Sequence, residues 1–121
     1  MFEFLLKTEA GGRVSARLRR YALVHAPHLL DIEVASSLRR AAASGVISPE
    51  RAREALSDLQ IMRIERHPHT LHLERIWELR HNFSTYDACY IALTELLDGT
   101  LLTRDKAMTR AQLRYGSVEL V

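Results

Sequence analysis

Apolar positions in this chain recur at helical spacing in some stretches and in short unbroken runs in others, and glycines and prolines mark most of the changes. Ala52, Ala55, Leu56 and Leu59 form one helical face behind Ser48-Pro49-Glu50, a cap followed by proline in the first turn. Asp31 is expected to cap a helix that runs to about Ser44 and closes at Gly45. The stretch 84–97 is the strongest helix, apolar nearly all round (Tyr86, Ala88, Cys89, Ile91, Ala92, Leu93, Leu96, Leu97), so it is expected to be central and buried. Further helices are expected over 2–8, 14–21 and 70–80, the last with Leu73, Ile76, Trp77 and Leu79 as its apolar side, and one more opening at Asp105. Short strands are expected at 24–29, 61–65, 100–103 and 117–121, with 100–103 buried.

Strands alternating with helices point to an α/β fold with a parallel sheet covered on both faces. Only four strands are expected, and the chain opens on a helix with nothing to pack it on, so an earlier strand is expected to be missing.

The length of 121 residues fits one domain, 1–121, with a real core. No apolar run approaches a membrane span, and the apolar start MFEFLLKTEAGG carries Glu3 and no basic leader, so neither a membrane anchor nor a signal peptide is expected. Cys89 is the single cysteine, which excludes an internal disulfide and makes a reducing, cytoplasmic setting the expectation.

The net charge of +2 does not mark a dedicated duplex binder, but 15 of the 17 basic residues are arginine. A codon-biased genome is one explanation. The functional one is a phosphate-binding rim built from Arg17, Arg19, Arg20, Arg39 and Arg40, since guanidinium grips phosphate with two parallel bonds.

Three acids at helix starts carry the chemistry: Glu33 in LLDIEVASSL, Asp87 in STYDACYIAL and Asp105 in TLLTRDKAM. Helix starts gather at the carboxyl edge of an α/β sheet, where ligands bind, and carboxylates gathered there suit a hard divalent cation. Each acid also has a structural role open to it. Asp87 follows Ser84 in a capping-box arrangement, Asp105 is a natural N-cap, and Glu33 lies where a carboxylate favours the helix dipole.

Other constellations are weaker. His67, His69 and His72 have zinc-like spacing without a completing cysteine or acid, and are expected to be solvated loop histidines. Cys89 and Trp77 read as core residues. Ser84 and Thr85 lack the partners of a nucleophile, and Gly11-Gly12 is no phosphate loop.

The segments LLDIEVASSLRRAAASGVISPERAREALSDL and STYDACYIALTELLDGTLLTRDKAM closely resemble PIN-domain toxins of the VapC type. The resemblance rests on Asp-x-Glu-Val at 31–34, Tyr-Asp-Ala at 86–88 and Leu-Leu-Thr-x-Asp at 101–105, in that order, and covers nearly the whole chain. It implies a PIN-like three-layer α/β fold and a small ribonuclease of a toxin–antitoxin pair that cleaves RNA with Mg2+ or Mn2+. Glu33, Asp87 and Asp105 would then be three of the four family acids, with Thr103 as the hydroxyl residue accompanying the last. A homodimer and a cognate antitoxin are implied as well. The fourth acid belongs on a first, central strand in a pattern like Val-Asp-Ala-Ser-Ala-Leu, directly before FEFLL. That strand is not in the sequence, so a longer native chain is expected. The rival readings are a catalytically impaired PIN-like module that keeps antitoxin and dimer contacts, and a nucleic-acid-binding protein that uses arginine alone.

Overall fold

The computed structural model describes residues 23–121, as two compact units: 23–25 with Leu29–Glu65, and Ala26–His28 with Arg66–Val121. The helices expected over 2–8 and 14–21, the rim arginines 17, 19 and 20, and the expectation about the first strand lie outside the described residues.

In the first unit, helix α1 (Leu29–Ala43) packs against helix α2 (Pro49–Ile61). Leu30, Val34 and Leu38 recur every fourth residue and form the buried stripe of α1, and Ala52, Ala55 and Leu59 form that of α2. The small side chains at 52 and 55 let α2 bury its face without bulk. Leu56, expected on that face, stays partly open at its edge. Asp31 lies inside the first turn of α1 rather than capping it, because the helix begins two residues earlier at Leu29. Gly45 takes φ 78° just past the end of α1, a conformation that costs glycine nothing. Ser48 caps α2 as expected, its hydroxyl accepting the Arg51 N–H at 3.1 Å, with Pro49 at the first turn.

Strands β1 (Val24–Pro27) and β2 (Ile64–His67) form a two-stranded sheet. Pro27 has no N–H to give and closes β1, and the His28 N–H takes up the pairing with the His67 carbonyl at 3.0 Å. Strand β2 starts three residues later than expected. Ile61 still belongs to α2, which ends where Met62 turns extended and its N–H bonds to the Asp58 carbonyl.

In the second unit, a 3-10 turn (Thr70–His72) leads into the short helix α3 (Leu73–Glu78), which packs on helix α4 (Thr85–Leu97). The helix expected over 70–80 is therefore broken into two pieces. Ile76 and Leu79 face the core while Leu73 and Trp77 point outward, so Trp77 is 67% exposed and is not a core residue. His72 is buried rather than solvated. Helix α4 is the centre of this unit, with Ala88, Cys89, Ile91, Ala92 and Leu93 buried as expected, although Tyr86 and Leu96 are exposed.

The chain reverses at Asp98, which takes φ 49° as the C-cap, and strand β3 (Thr100–Thr103) runs back along α4. It pairs in parallel with strand β4 (Ser117–Leu120), Thr100 opposite Ser117 and Thr103 opposite Leu120. A four-residue strand with one described neighbour is half-covered rather than buried, contrary to expectation. Among the described residues no helix is long and apolar enough to cross a membrane.

Candidate active site

Asp87 stands in the first turn of α4. The Ser84 hydroxyl accepts the Asp87 N–H at 3.1 Å, so the Ser-x-x-Asp segment does form the helix cap. The cap uses the backbone of Asp87 and leaves its carboxylate out. That carboxylate is half-buried and takes no hydrogen bond or ion pair from any described residue. A capping role therefore accounts for the position of Asp87 but not for its acid.

Asp105 and Thr103 are joined directly. The Thr103 hydroxyl accepts the Asp105 N–H at 3.1 Å, and one Asp105 carboxylate oxygen accepts the Ala107 N–H at 2.8 Å. These bonds fold the chain sharply out of β3 and cap the next segment, Lys106–Arg110. That segment is a 3-10 turn rather than the expected α-helix. Five residues held by short-range bonds, with only Met108 buried, give too little apolar face to support a full helix.

Asp87 lies at the amino end of α4 and Thr103 at the carboxyl end of β3, the kinds of position from which an α/β unit usually builds a ligand edge.

Glu33 lies near the start of α1 in the other unit, half-buried beside Val34. The exposed Arg40 on the same helix bonds to Ser36 at 3.0 Å and Ser37 at 3.3 Å. In that unit His25 Nδ1 also lies 3.8 Å from Glu65, a pairing between neighbouring strands with no signal in the spacing of the sequence.

A second charged group in the second unit escaped sequence reasoning. Glu95, buried in α4, takes two bonds of 2.8 Å from the Arg75 guanidinium and one of 3.0 Å from the Arg114 N–H. Arg114 and Arg75 also reach Glu78, at 2.8 and 3.1 Å. Burial pushes the Glu95 carboxyl up, but the bonds from Arg75 and Arg114 and their charges outweigh it and hold the carboxyl below its usual value. This network ties α3, α4 and the segment before β4 together. Its bonds join three segments of the chain, which makes it structural.

The PIN domain family matches residues 1–113. Ribonuclease VapC1 of Mycobacterium tuberculosis is 47% identical over 95 residues, covering 78% of this chain and 71% of that protein. VapC ribonuclease Mb0985 of Mycobacterium bovis is 44% identical over 82 residues, covering 68% and 65%. Ribonuclease VapC12 of Mycobacterium tuberculosis is 31% identical over 119 residues, covering 98% and 92%. The chain belongs to the PIN-domain family, and within it to the VapC type.

Proposed function

We propose that this chain is a divalent-metal-dependent ribonuclease, the toxin of a type II toxin–antitoxin pair, that cleaves RNA phosphodiesters. The observation that carries the reading is the Asp87 carboxylate, which is half-buried at the head of the central helix and unclaimed by any described neighbour. Relatives whose names say ribonuclease support it.

Carboxylate oxygens suit a hard cation. Asp87 offers two, Asp105 retains one beyond its bond to Ala107, and Glu33 is the third acid of the expected set. Glu33, Asp87 and Asp105 would hold Mg2+ or Mn2+, directly or through water. A cation held there supplies an acidified water and neutralises charge growing on the phosphate. Thr103 holds the Asp105 backbone and so fixes the direction of that carboxylate. Exposed arginines such as Arg39 grip the RNA backbone by its phosphates.

The partners that go with this reading are an RNA substrate, a cognate antitoxin and a second copy of the chain. An antitoxin that placed a basic side chain among the acids would neutralise them as a metal does. The buried Cys89, in no disulfide, suits a reducing cytoplasm.

The test is cleavage of a labelled RNA by the purified chain, with Mn2+ or Mg2+ and then with chelator. Metal-dependent cleavage that disappears in Asp87→Asn supports the proposal. Capture of an antitoxin with no cleavage at any metal concentration would replace it with the impaired binding module.

A further inference from the structure

We propose that Trp77 and Arg80 form a stacking platform for an unpaired base of single-stranded RNA. The inference rests on the ribonuclease reading and adds to it a substrate conformation and two residues that recognise it.

Trp77 is the one tryptophan of the chain, and it is 67% exposed. The Arg80 guanidinium lies over its ring, 4.5 Å from the centroid. That guanidinium is steadied by a bond of 2.9 Å from Nη1 to the Trp77 carbonyl. One ring face lies under Arg80, and two-thirds of the residue is open to solvent. The outer plane of the guanidinium is a second flat surface. Bases of single-stranded RNA stack on both kinds of surface.

The charges around the platform distinguish its occupant. Arg75, on the same helix, is consumed by Glu95 and Glu78, and Arg114 also bonds Glu78. Arg80 pairs with no carboxylate among the described residues. An apolar partner would strand that cation without a counterion, at a cost. An RNA strand brings a base for the ring and a phosphate for the guanidinium.

Only a short stretch of chain separates the platform from Asp87. Two backbone bonds to the Leu79 carbonyl, from Asn82 at 3.1 Å and Phe83 at 3.1 Å, turn the chain straight into the Ser84 cap of α4. Arg80 and Asp87 are at most about 25 Å apart along the chain, a span that a few nucleotides cover.

Because Trp77 is the sole tryptophan, its emission reports on the platform alone. The experiment titrates the full chain, in chelator, with a short uniform single-stranded RNA carrying a dye, and reads tryptophan emission and dye anisotropy together. The expected result is quenching that saturates with the anisotropy, and much less of it with the same sequence as a duplex. In cleavage assays, Trp77→Leu should raise KM about tenfold with kcat little changed, and Trp77→Phe should recover most of it. Arg80→Gln should weaken binding and reduce its salt dependence.

RNA binding without quenching, or an unchanged KM in a folded Trp77→Leu chain that still cleaves, overturns the platform and leaves the ribonuclease reading standing. Emission that shifts with protein concentration alone and ignores RNA assigns this face to contact between copies of the chain and also overturns it. If the unaltered chain neither binds nor cleaves RNA, the ribonuclease reading fails and the platform fails with it.

Discussion

Arg75 and Glu95, twenty residues apart, meet through two parallel bonds of 2.8 Å, and this pair locks α3 onto α4. Glu95 also receives the Arg114 N–H, so one buried carboxylate organises three segments of the chain. Removing one partner of a buried pair leaves the other uncompensated and costs about 3–5 kcal/mol. Arg75 keeps some access to water, with 19% of its side chain exposed, so Glu95→Ala should lie near the lower end, about 3 kcal/mol. Urea unfolding of the two proteins measures the difference.

The same pair makes stability depend on acid. In the fold the Glu95 carboxyl is held below its ordinary 4.5, by bonds and charges that outweigh its burial. Its contribution is therefore complete above the unfolded value and is lost as pH falls through the lowered folded value. Glu95→Gln should be less stable than the unaltered chain at neutral pH, and the gap should close as pH drops below 4.5.

His72 adds a second acid-sensitive step at higher pH. Its burial, and then the neighbouring His67 and His69, push its pKa below 6.5. As pH falls below 6.5 the unfolded chain takes up the proton before the fold does, so stability drops. Melting followed between about pH 7.5 and 5.5 should show this loss, and His72→Leu should flatten it.

Gly116 tests the close approach between the start of β4 and the turn after α4. It has φ 83°, and a side-chain carbon there would lie 2.6 Å from the Gly99 carbonyl oxygen and 3.2 Å from the Thr94 methyl. Gly116→Ala should cost about 2–4 kcal/mol, from backbone strain plus overpacking. Gly45 has φ 78° and open space around it, so Gly45→Ala should cost only the strain, about 1 kcal/mol. Thermal melts of the two variants separate the effects.

What the sequence made legible was mostly local. The Ser48-Pro49 and Ser84 caps, the reversal at Asp98-Gly99 and the helix over 85–97 are written in adjacent residues, and the fold obeys them, although Tyr86 and Leu96 stay exposed. The phase of α3 was not legible. Leu73 with Trp77 and Ile76 with Leu79 are two competing faces of similar apolarity, and a helix of six residues is too short for periodicity to choose. Packing on α4 chooses Ile76 and Leu79, which is why Trp77 ends in solvent. The Arg75–Glu95 bond joins residues too far apart in the chain for spacing to reveal it. At the candidate site, the sequence pointed to the Ser84 cap before Asp87 and to Asp105 as an N-cap, and both bonds form. It could not show that the Ser84 cap uses only the Asp87 backbone, since that depends on where the carboxylate turns.

Metal-dependent RNA cleavage by the unaltered chain is to be measured beside that of Glu33→Gln, Asp87→Asn and Asp105→Asn, with melting curves taken on the same samples. Losing a group that positions the metal typically costs about 10–100-fold, and losing a ligand should cost at least that. Cleavage dependent on Mn2+ or Mg2+ should fall at least tenfold in each variant, while Asp87→Asn keeps its melting temperature, because that carboxylate bonds to no described residue. Cleavage that persists in Asp87→Asn, or that chelator leaves untouched, would contradict the claim.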